Sequence, residues 1–115
     1  MATKKARCPA EDALRALSGK WKLLILREVC KTPKRFGQIR RSLDGVTQKV
    51  LTQQLRQMER DGLLQRRIIP GKIIQVEYSL APAAASLKPA IDILHEWGHT
   101  REVEKGASQD RRIHT

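Results

Sequence analysis

Apolar residues recur at helical spacing along most of this chain, and the pattern is clearest in the segment TQKVLTQQLRQMERDG. Leu51, Leu55 and Met58 fall at positions i, i+4 and i+7, which places them on one face of a helix. The remaining positions carry mostly amides, hydroxyls and cations. The pattern therefore predicts a helix over about residues 48–61 with one apolar and one polar side.

The residues at both ends of this segment support the same helix. Thr47 is a suitable N-cap, because its hydroxyl can accept a hydrogen bond from an unpaired amide of the first turn. Gly62 suits the left-handed conformation in which many helices end. The predicted helix thus has a defined start and a defined stop.

Two further helices are predicted nearer the N-terminus. Pro9 begins the first, and Ser18-Gly19 ends it. The second covers residues 20–30, and Thr32-Pro33 ends it. It is apolar enough to be the central helix of the core. The residues that we expect in its buried stripe and on the flanks of that stripe are Trp21, Leu24, Ile25, Val29, Leu23 and Leu26.

A helix-turn-helix is predicted from the segment FGQIRRSL together with the turn and the helix after it. Phe36, Ile39 and Leu43 keep helical spacing, and Asp44-Gly45 supplies a turn just before the 48–61 helix. Two helices joined by a short turn that contains glycine are typical of this motif. The 48–61 helix is then the candidate recognition helix.

Beyond the recognition helix the period changes to that of strands. Residues 63–69 and 73–80 are rich in β-branched side chains and are separated by Pro70-Gly71-Lys72. We expect a hairpin over about residues 64–80, with Val76, Tyr78 and Leu80 directed to one face. A basic hairpin directly after a recognition helix is the wing of a winged helix.

A last helix is predicted over about residues 83–104, and its apolar stripe needs a partner. We expect that stripe to meet a second subunit together with the first helix, because the helix-turn-helix and hairpin already close a small core. The alternative is that the last helix folds back on its own domain. The residues expected at the dimer interface are Leu14, Leu17, Leu87, Ile91, Leu94 and Trp97.

These elements predict a mainly α fold with a small β-hairpin wing, which is an α+β winged helix-turn-helix DNA-binding domain flanked by dimerisation helices. The domain covers residues 8–104. We expect residues 1–7 to form a flexible basic arm and residues 105–115 to form a frayed tail.

The charge of the chain indicates what class of partner this fold binds. The chain has 23 Lys and Arg against 12 Asp and Glu, a net charge of +11 and a pI near 10.4. Such an excess attracts polyanions, so double-stranded DNA is the first partner to consider. No helix combines a cationic face with bulky aromatic residues opposite, and we therefore expect no membrane partner. The alternative is that the charged faces are only solvated.

Other classes of function have little support in the sequence. The N-terminal MATKKAR is followed by CPAEDA rather than by an apolar segment, which predicts a cytoplasmic protein. We find no nucleophile-base pair, no phosphate loop and no C-x-x-C, and His95, His99 and His114 have no nearby thiol. We therefore expect no enzyme activity, no cofactor and no metal.

The polar side of the recognition helix carries the chemistry that reads base edges. Arg and Lys reach guanine O6 and N7, Gln pairs with adenine N6 and N7, and Thr contacts the thymine methyl group. These types occur together on this helix, and we expect DNA base readout from Gln48, Lys49, Thr52, Gln53 and Arg56.

Three segments in this order and spacing resemble the HxlR-type winged helix-turn-helix transcriptional regulators of bacteria, which are MarR-like. They are CPAEDALRALSGKWKLLILREV, RFGQIRRSLDGVTQKVLTQQLRQMERDGLLQR and VEYSL. The resemblance implies a homodimer with its first and last helices at the interface. It also implies a pseudo-palindromic operator and either repression, the commoner outcome, or activation.

The resemblance also implies roles for the cations outside the recognition helix. They would contact phosphates and set the register of the protein on DNA without reading its sequence. The residues concerned, in the helix-turn-helix and the wing, are Lys34, Arg35, Arg40, Arg66, Arg67 and Lys72.

The chain departs from the family pattern at two places. Ile73-Ile74 stands where members often have a Pro-Pro pair, which predicts a more strand-like wing. Ala81 replaces a threonine that would cap the last helix, and Pro82 is then expected at the first position of that helix.

Cys8 aligns with the cysteine through which some members of the family sense oxidants or electrophiles. A helix N-terminus and the neighbouring Lys4, Lys5 and Arg7 would favour its reactive thiolate form. The alternatives are a structural or incidental thiol, or a bridge to Cys30. If Cys8 is not the sensor, the signal is a small ligand or a partner. A winged helix used only for protein contacts is the other interpretation of the fold.

Overall fold

The structure is a computed structural model, and it describes residues 8–112, with side chains over residues 8–103. The predicted basic arm and the end of the predicted tail lie outside these residues. The fold class is confirmed, since the chain is mainly helical and has a small three-stranded antiparallel sheet. The elements are α1 Pro9–Leu17, α2 Lys22–Lys31, β1 Lys34–Arg35, α3 Phe36–Ser42, α4 Gln48–Arg60, β2 Leu64–Ile69, β3 Gln75–Leu80, a 3₁₀ segment Pro82–Leu87, and α5 Lys88–Arg112.

The chain divides after Ala85 into two compact units. In the first unit, the predicted apolar stripes of α3 and α4 form much of the core. Ile39, Leu51, Leu55 and Met58 are fully buried, as the helical spacing predicts. The core therefore holds α4 by one face and leaves its polar side free.

The predicted buried stripe of α2 is partly wrong. Ile25, Leu26 and Val29 are buried, but Leu24 is 43% exposed and Lys22 is only 7% exposed. The buried face follows positions i, i+3, i+4 and i+7 from Lys22, so it is rotated from the face that begins at Trp21. Because residues 23–26 are all apolar, spacing alone could not decide between these two faces.

Both predicted caps of α4 are confirmed. Thr47 Oγ1 accepts a hydrogen bond from the backbone N–H of Val50 at 3.1 Å. At the other end Gly62 has a φ of 79°, the N–H of Leu63 donates to the carbonyl of Met58, and that of Gly62 donates to the carbonyl of Glu59. These two bonds form a Schellman motif, which turns the chain from α4 directly into β2.

The hairpin is present, but it differs from the prediction at its tip. β2 and β3 pair in antiparallel register from Leu64 opposite Leu80 to Ile69 opposite Gln75. Ile73 and Ile74 precede β3 and lie in the tip, so the expectation of a more strand-like wing at these residues is wrong. All of β3 is half-buried, so its burial shows no alternation between two faces.

The third strand has no counterpart among the predicted elements. β1 pairs with the other edge of β3, with Lys34 opposite Tyr78 and Arg35 opposite Glu77. This pairing fixes the start of α3 against the wing within the first unit.

The last helix begins later and ends later than expected. Residues 82–87 form a 3₁₀ segment, and α5 starts at Lys88 rather than near residue 83. It continues to Arg112, so the predicted end near residue 104 is too early; no proline follows Pro89 to stop it. Among the described residues, no helix is both long and apolar enough to cross a membrane.

The predicted dimer-interface residues differ widely in exposure. Leu17 and Ile91 are buried, and Leu87 is half-buried. Leu14, Leu94 and Trp97 are exposed, and the Trp97 ring is 65% accessible with the Arg101 guanidinium 5.4 Å from its centroid. Only the exposed members can contribute substantial apolar surface to a second subunit.

Candidate nucleic-acid interface

The polar face of α4 brings all of the predicted base-reading residues together. The apolar stripe of α4 packs in the core, so the opposite face is turned to solvent over its whole length. Its side chains line one open, shallow cavity of about 530 Å³. The lining residues are Gln48, Lys49, Thr52, Gln53 and Arg56.

This face is positively charged, and carboxylates do not neutralise its cations. Neither Lys49 nor Arg56 makes an ion pair within residues 8–103, and both side chains are exposed. Gln48 and Gln53 are exposed as well, and Thr52 is half-buried. The surface therefore offers donors, amides, a methyl group and positive charge to a ligand of complementary shape.

Carboxylates neutralise part of the predicted phosphate-contacting set. Arg67 Nη2 lies 2.9 Å from Glu77 Oε1 across the two wing strands. Arg66 Nε lies 3.5 Å from Glu59 Oε2, and thereby connects the wing to α4. Lys34 Nζ makes a third pair, also at 3.5 Å, with Glu28 on α2. The positive charge of the wing is thus smaller than its composition indicates.

Three of the predicted phosphate contacts, Arg35, Arg40 and Lys72, have no carboxylate partner in the part of the chain whose side chains are described. Lys72 is exposed in the hairpin tip. Arg35 is exposed too, but its Nη1 donates to Gln75 Oε1 at 3.2 Å, which ties the start of α3 to the wing. The backbone N–H of Arg35 donates to Gln38 Oε1 at 2.8 Å and so closes the first turn of α3.

A second basic cavity, of about 430 Å³, lies at the turn of the helix-turn-helix. Arg40 lines it, as does Arg41, which sequence reasoning missed although it directly follows Arg40. Arg41 Nη1 lies 3.4 Å from the point that a Cβ on Gly37 would occupy, so the absence of a side chain at Gly37 leaves room for that guanidinium. The two arginines can face the same stretch of a polyanion.

Tyr78 lies close to charges of both the recognition helix and the wing. Burial raises the pKa of its hydroxyl above the ordinary value of 10.0, and the Glu59 carboxylate raises it further, while Arg66 and Arg56 act in the opposite direction. The hydroxyl therefore stays protonated at neutral pH and remains a hydrogen-bond donor.

Cys8 is exposed at the N-cap of α1, and Cys30 is half-buried in α2; both are free thiols. The carbonyl of Cys8 accepts backbone hydrogen bonds from Glu11 and Asp12, and its side chain makes no capping hydrogen bond. The neighbouring cations predicted to favour the thiolate lie outside the described residues. Among those described, no group of three or more His, Cys, Asp or Glu side chains is placed to hold a metal ion.

Comparisons with known proteins agree with this arrangement. The model of the HxlR-like helix-turn-helix family matches residues 16–105. The chain is 38% identical to YdzF, an uncharacterised HTH-type transcriptional regulator of Bacillus subtilis, over 80% of this chain and 85% of that protein.

Two solved structures have the same fold. The redox regulator HypR in its reduced form is 35% identical, with a TM-score of 0.79 over 86% of this chain and 99% of that one. A MarR-family regulator of Enterococcus faecalis is 38% identical, with a TM-score of 0.75 over 93% and 97% of the two chains.

Proposed function

The chain belongs to the HxlR-like helix-turn-helix family of transcriptional regulators, and we propose that it binds a pseudo-palindromic operator in double-stranded DNA as a homodimer. The observation that carries the proposal is the α4 face, where base-reading side chain types line one surface and two cations have no ion-pair partner among the described residues. Phosphates and guanine edges are the ligands that such a surface binds best.

In this proposal α4 lies in the major groove. Lys49 and Arg56 pair with guanine, Gln48 and Gln53 pair with adenine, and the Thr52 methyl contacts thymine. Arg40 and Arg41 contact the phosphates that flank the groove and set the register of α4. Bound in a promoter, such a dimer blocks polymerase and represses transcription.

The dimer is supported by apolar surface on the last helix. Leu94 and Trp97 are exposed on α5, and exposed bulky apolar residues at helical spacing are characteristic of subunit interfaces. A two-fold symmetric dimer matches the two-fold symmetry of a pseudo-palindromic operator. Its recognition helices, about 34–36 Å apart, can then enter successive turns of the major groove.

The proposal is tested by separating base reading from phosphate contact. With a duplex selected by the wild-type protein from a random library and a scrambled duplex as its pair, Arg56→Ala is expected to reduce discrimination by about 1–3 kcal/mol. Arg40→Ala serves as the matched control, because it removes the same side chain from the proposed phosphate set. It is expected to weaken both duplexes equally and to lower the salt slope by about 0.9.

If the wild-type protein selects no sequence, the α4 face is not an operator-reading surface. The winged helix is then a module for protein contacts. If Arg56→Ala and Arg40→Ala change both duplexes alike, DNA binding stands but the division of roles between the two residues is wrong.

We further propose that oxidants regulate this binding through Cys8. The thiol is exposed and free, and HypR, to which the chain is 35% identical, is a redox regulator known in reduced and oxidised forms. Diamide with glutathione couples the Cys8 thiol to glutathione as a mixed disulfide, and the bulky group at the start of α1 is expected to change operator affinity.

Operator affinity of reduced and treated protein measures this effect. The treated Cys8→Ser variant should bind like the reduced protein, and Cys30→Ser should respond to treatment like wild type. A response in Cys8→Ser equal to that of wild type would exclude Cys8 as the sensor and would point to Cys30, the other free thiol among the described residues. If treatment leaves the affinity of the wild-type protein unchanged, the signal is a small ligand or a partner.

A further inference from the structure

Several large apolar side chains are exposed at and near the tip of the hairpin. Ile73 is 76% exposed and Ile74 is 70% exposed, and Ile68 near the end of β2 is 58% exposed. Pro70 lies between them in the chain and is exposed as well. We call these four residues the apolar wing tip. Nothing in the described part of the first unit covers them.

The hairpin that carries the apolar wing tip is joined directly to the end of α4. The Schellman turn leads from α4 straight into β2, and the backbone N–H of Ala81 donates to the carbonyl of Leu63 at 2.9 Å, which closes the base of the hairpin. The Arg66–Glu59 pair adds a side-chain connection. The base of the hairpin is therefore tied to the end of α4.

The reach of the hairpin matches the spacing of the grooves. Each wing strand has 6 residues, which at about 3.3 Å per residue carries the tip about 20 Å from the base. Half a turn of B-DNA, the step from a major groove to the neighbouring minor groove, is about 17 Å. A hairpin attached to a helix in the major groove can thus reach the adjacent minor groove.

The wing tip has too few unpaired cations for phosphate binding to be its main role. Lys72 is the only charged residue in the segment IIPGKIIQV that surrounds the tip. Behind it, Arg67 is paired with Glu77 and Arg66 with Glu59. The tip thus offers a ligand branched aliphatic surface with a single cation.

We propose that the apolar wing tip inserts Ile73 and Ile74 into the minor groove beside the recognised major groove, where they pack against sugars and partly unstack a base step. This inference rests on the proposed function. DNA is favoured as the occupant because the hairpin that carries the tip follows directly on α4, the proposed recognition helix. Apolar side chains of this type are also the ones that wedge open minor grooves.

Insertion of Ile73 and Ile74, which we call the wedge, makes the affinity for DNA depend on bases that no side chain contacts through hydrogen bonds. Pyrimidine–purine steps such as TA and CA unstack most easily, so operators with such a step at the tip are bound more tightly. Apolar contacts release no counterions, and this part of the affinity is therefore independent of salt.

The experiment uses the full chain, the selected duplex and two paired substitutions. Ile73→Thr/Ile74→Thr keeps the β-branched shape but adds hydroxyls, and is expected to raise the Kd about tenfold with an unchanged salt slope. Ile73→Val/Ile74→Val keeps most of the apolar surface and should fall between wild type and the threonine variant. Lys72→Ala, a control in the same tip, should lower the salt slope.

Base unstacking is read directly by 2-aminopurine placed at the flanking step. Its fluorescence should rise when wild type binds and should stay low with the threonine variant. If the threonine variant binds like wild type while Arg56→Ala still loses discrimination, the wedge is wrong and the proposed function stands.

Other occupants of the tip give different signatures. If the threonine variant leaves the Kd for the duplex unchanged but loses self-association in sedimentation, the tip docks on a second copy of the chain. If it instead loses binding to phosphatidylserine vesicles, the tip docks on a lipid surface. Either result overturns the wedge. Failure of the wild-type protein to prefer any duplex would overturn the proposed function itself.

Discussion

Carboxylates divide the cations around the helix-turn-helix into two groups. Glu28, Glu59 and Glu77 each hold one cation of the predicted phosphate-contacting set. Lys49 and Arg56 on the recognition helix have no ion-pair partner among the residues that the structure describes. Exposed ion pairs stabilise a protein by only about 0–1 kcal/mol, so a DNA phosphate can displace the carboxylate from a paired cation. A paired cation should nevertheless bind phosphate less strongly than an unpaired one.

Releasing one of these cations should strengthen general DNA binding. In Glu77→Gln, Arg67 loses its carboxylate partner and becomes available to a phosphate. We expect affinity for a scrambled duplex to rise and the salt dependence to steepen by about 0.9, measured between roughly 50 and 200 mM salt.

Glu11→Gln is the matched control, because it removes the same charge from an exposed position on α1. Equal behaviour of the two variants would mean that the pair with Glu77 does not restrain Arg67.

Sequence could identify the residues of the polar α4 face but not these pairs. Helical spacing alone places Gln48, Gln53 and Arg56 on the side opposite Leu51 and Leu55, and the structure agrees. The partner of Arg67 faces it across the hairpin, and its identity depends on the strand register, which no local pattern specifies. The net charge of the chain could therefore be predicted from the sequence, but which cations are paired with carboxylates could not.

Local rules account for the elements that were predicted well. α4 begins at a threonine cap and ends at a glycine in the left-handed region, and both signals act within a few residues. β1 has no local signal, because Lys34 and Arg35 become a strand only by pairing with residues far along the chain. The 3₁₀ segment before α5 is another case in which helical composition did not specify the type of helix.

The cap of the recognition helix should be measurable in stability. Thr47→Ala removes the acceptor for the Val50 amide and is expected to lower the free energy of unfolding by about 1 kcal/mol. Thr47→Ser keeps the hydroxyl and should retain most of that stability. Urea unfolding followed by circular dichroism measures both; an alanine variant as stable as the serine variant would show that the hydroxyl does not cap α4.

At the scale of the whole molecule, sequence resemblance identified the family, and the match over residues 16–105 confirms it. A single chain cannot supply the geometry of an assembly. Leu17 and Ile91 illustrate the difficulty: both are buried, and their spacing predicts apolar stripes without specifying whether the same chain or a partner covers them.

The proposed dimer depends on the apolar residues of α5 that remain exposed. Leu94→Glu/Trp97→Glu places charges on this surface and is expected to convert the dimer to a monomer in sedimentation velocity, because burying unpaired carboxylates is costly. His99→Glu adds charge to another face of the same helix and should leave the dimer intact. A double variant that sediments like wild type would exclude this surface as the interface.

The most direct test of sequence-specific operator binding is the ratio of the wild-type Kd for a scrambled duplex to that for the selected duplex, at one fixed physiological salt concentration. Specific regulators bind their sites about 10³-fold or more tightly than other DNA, and we expect a ratio of that order. A ratio near one would contradict specific operator binding, because the charge of the chain would then explain all of its affinity for DNA.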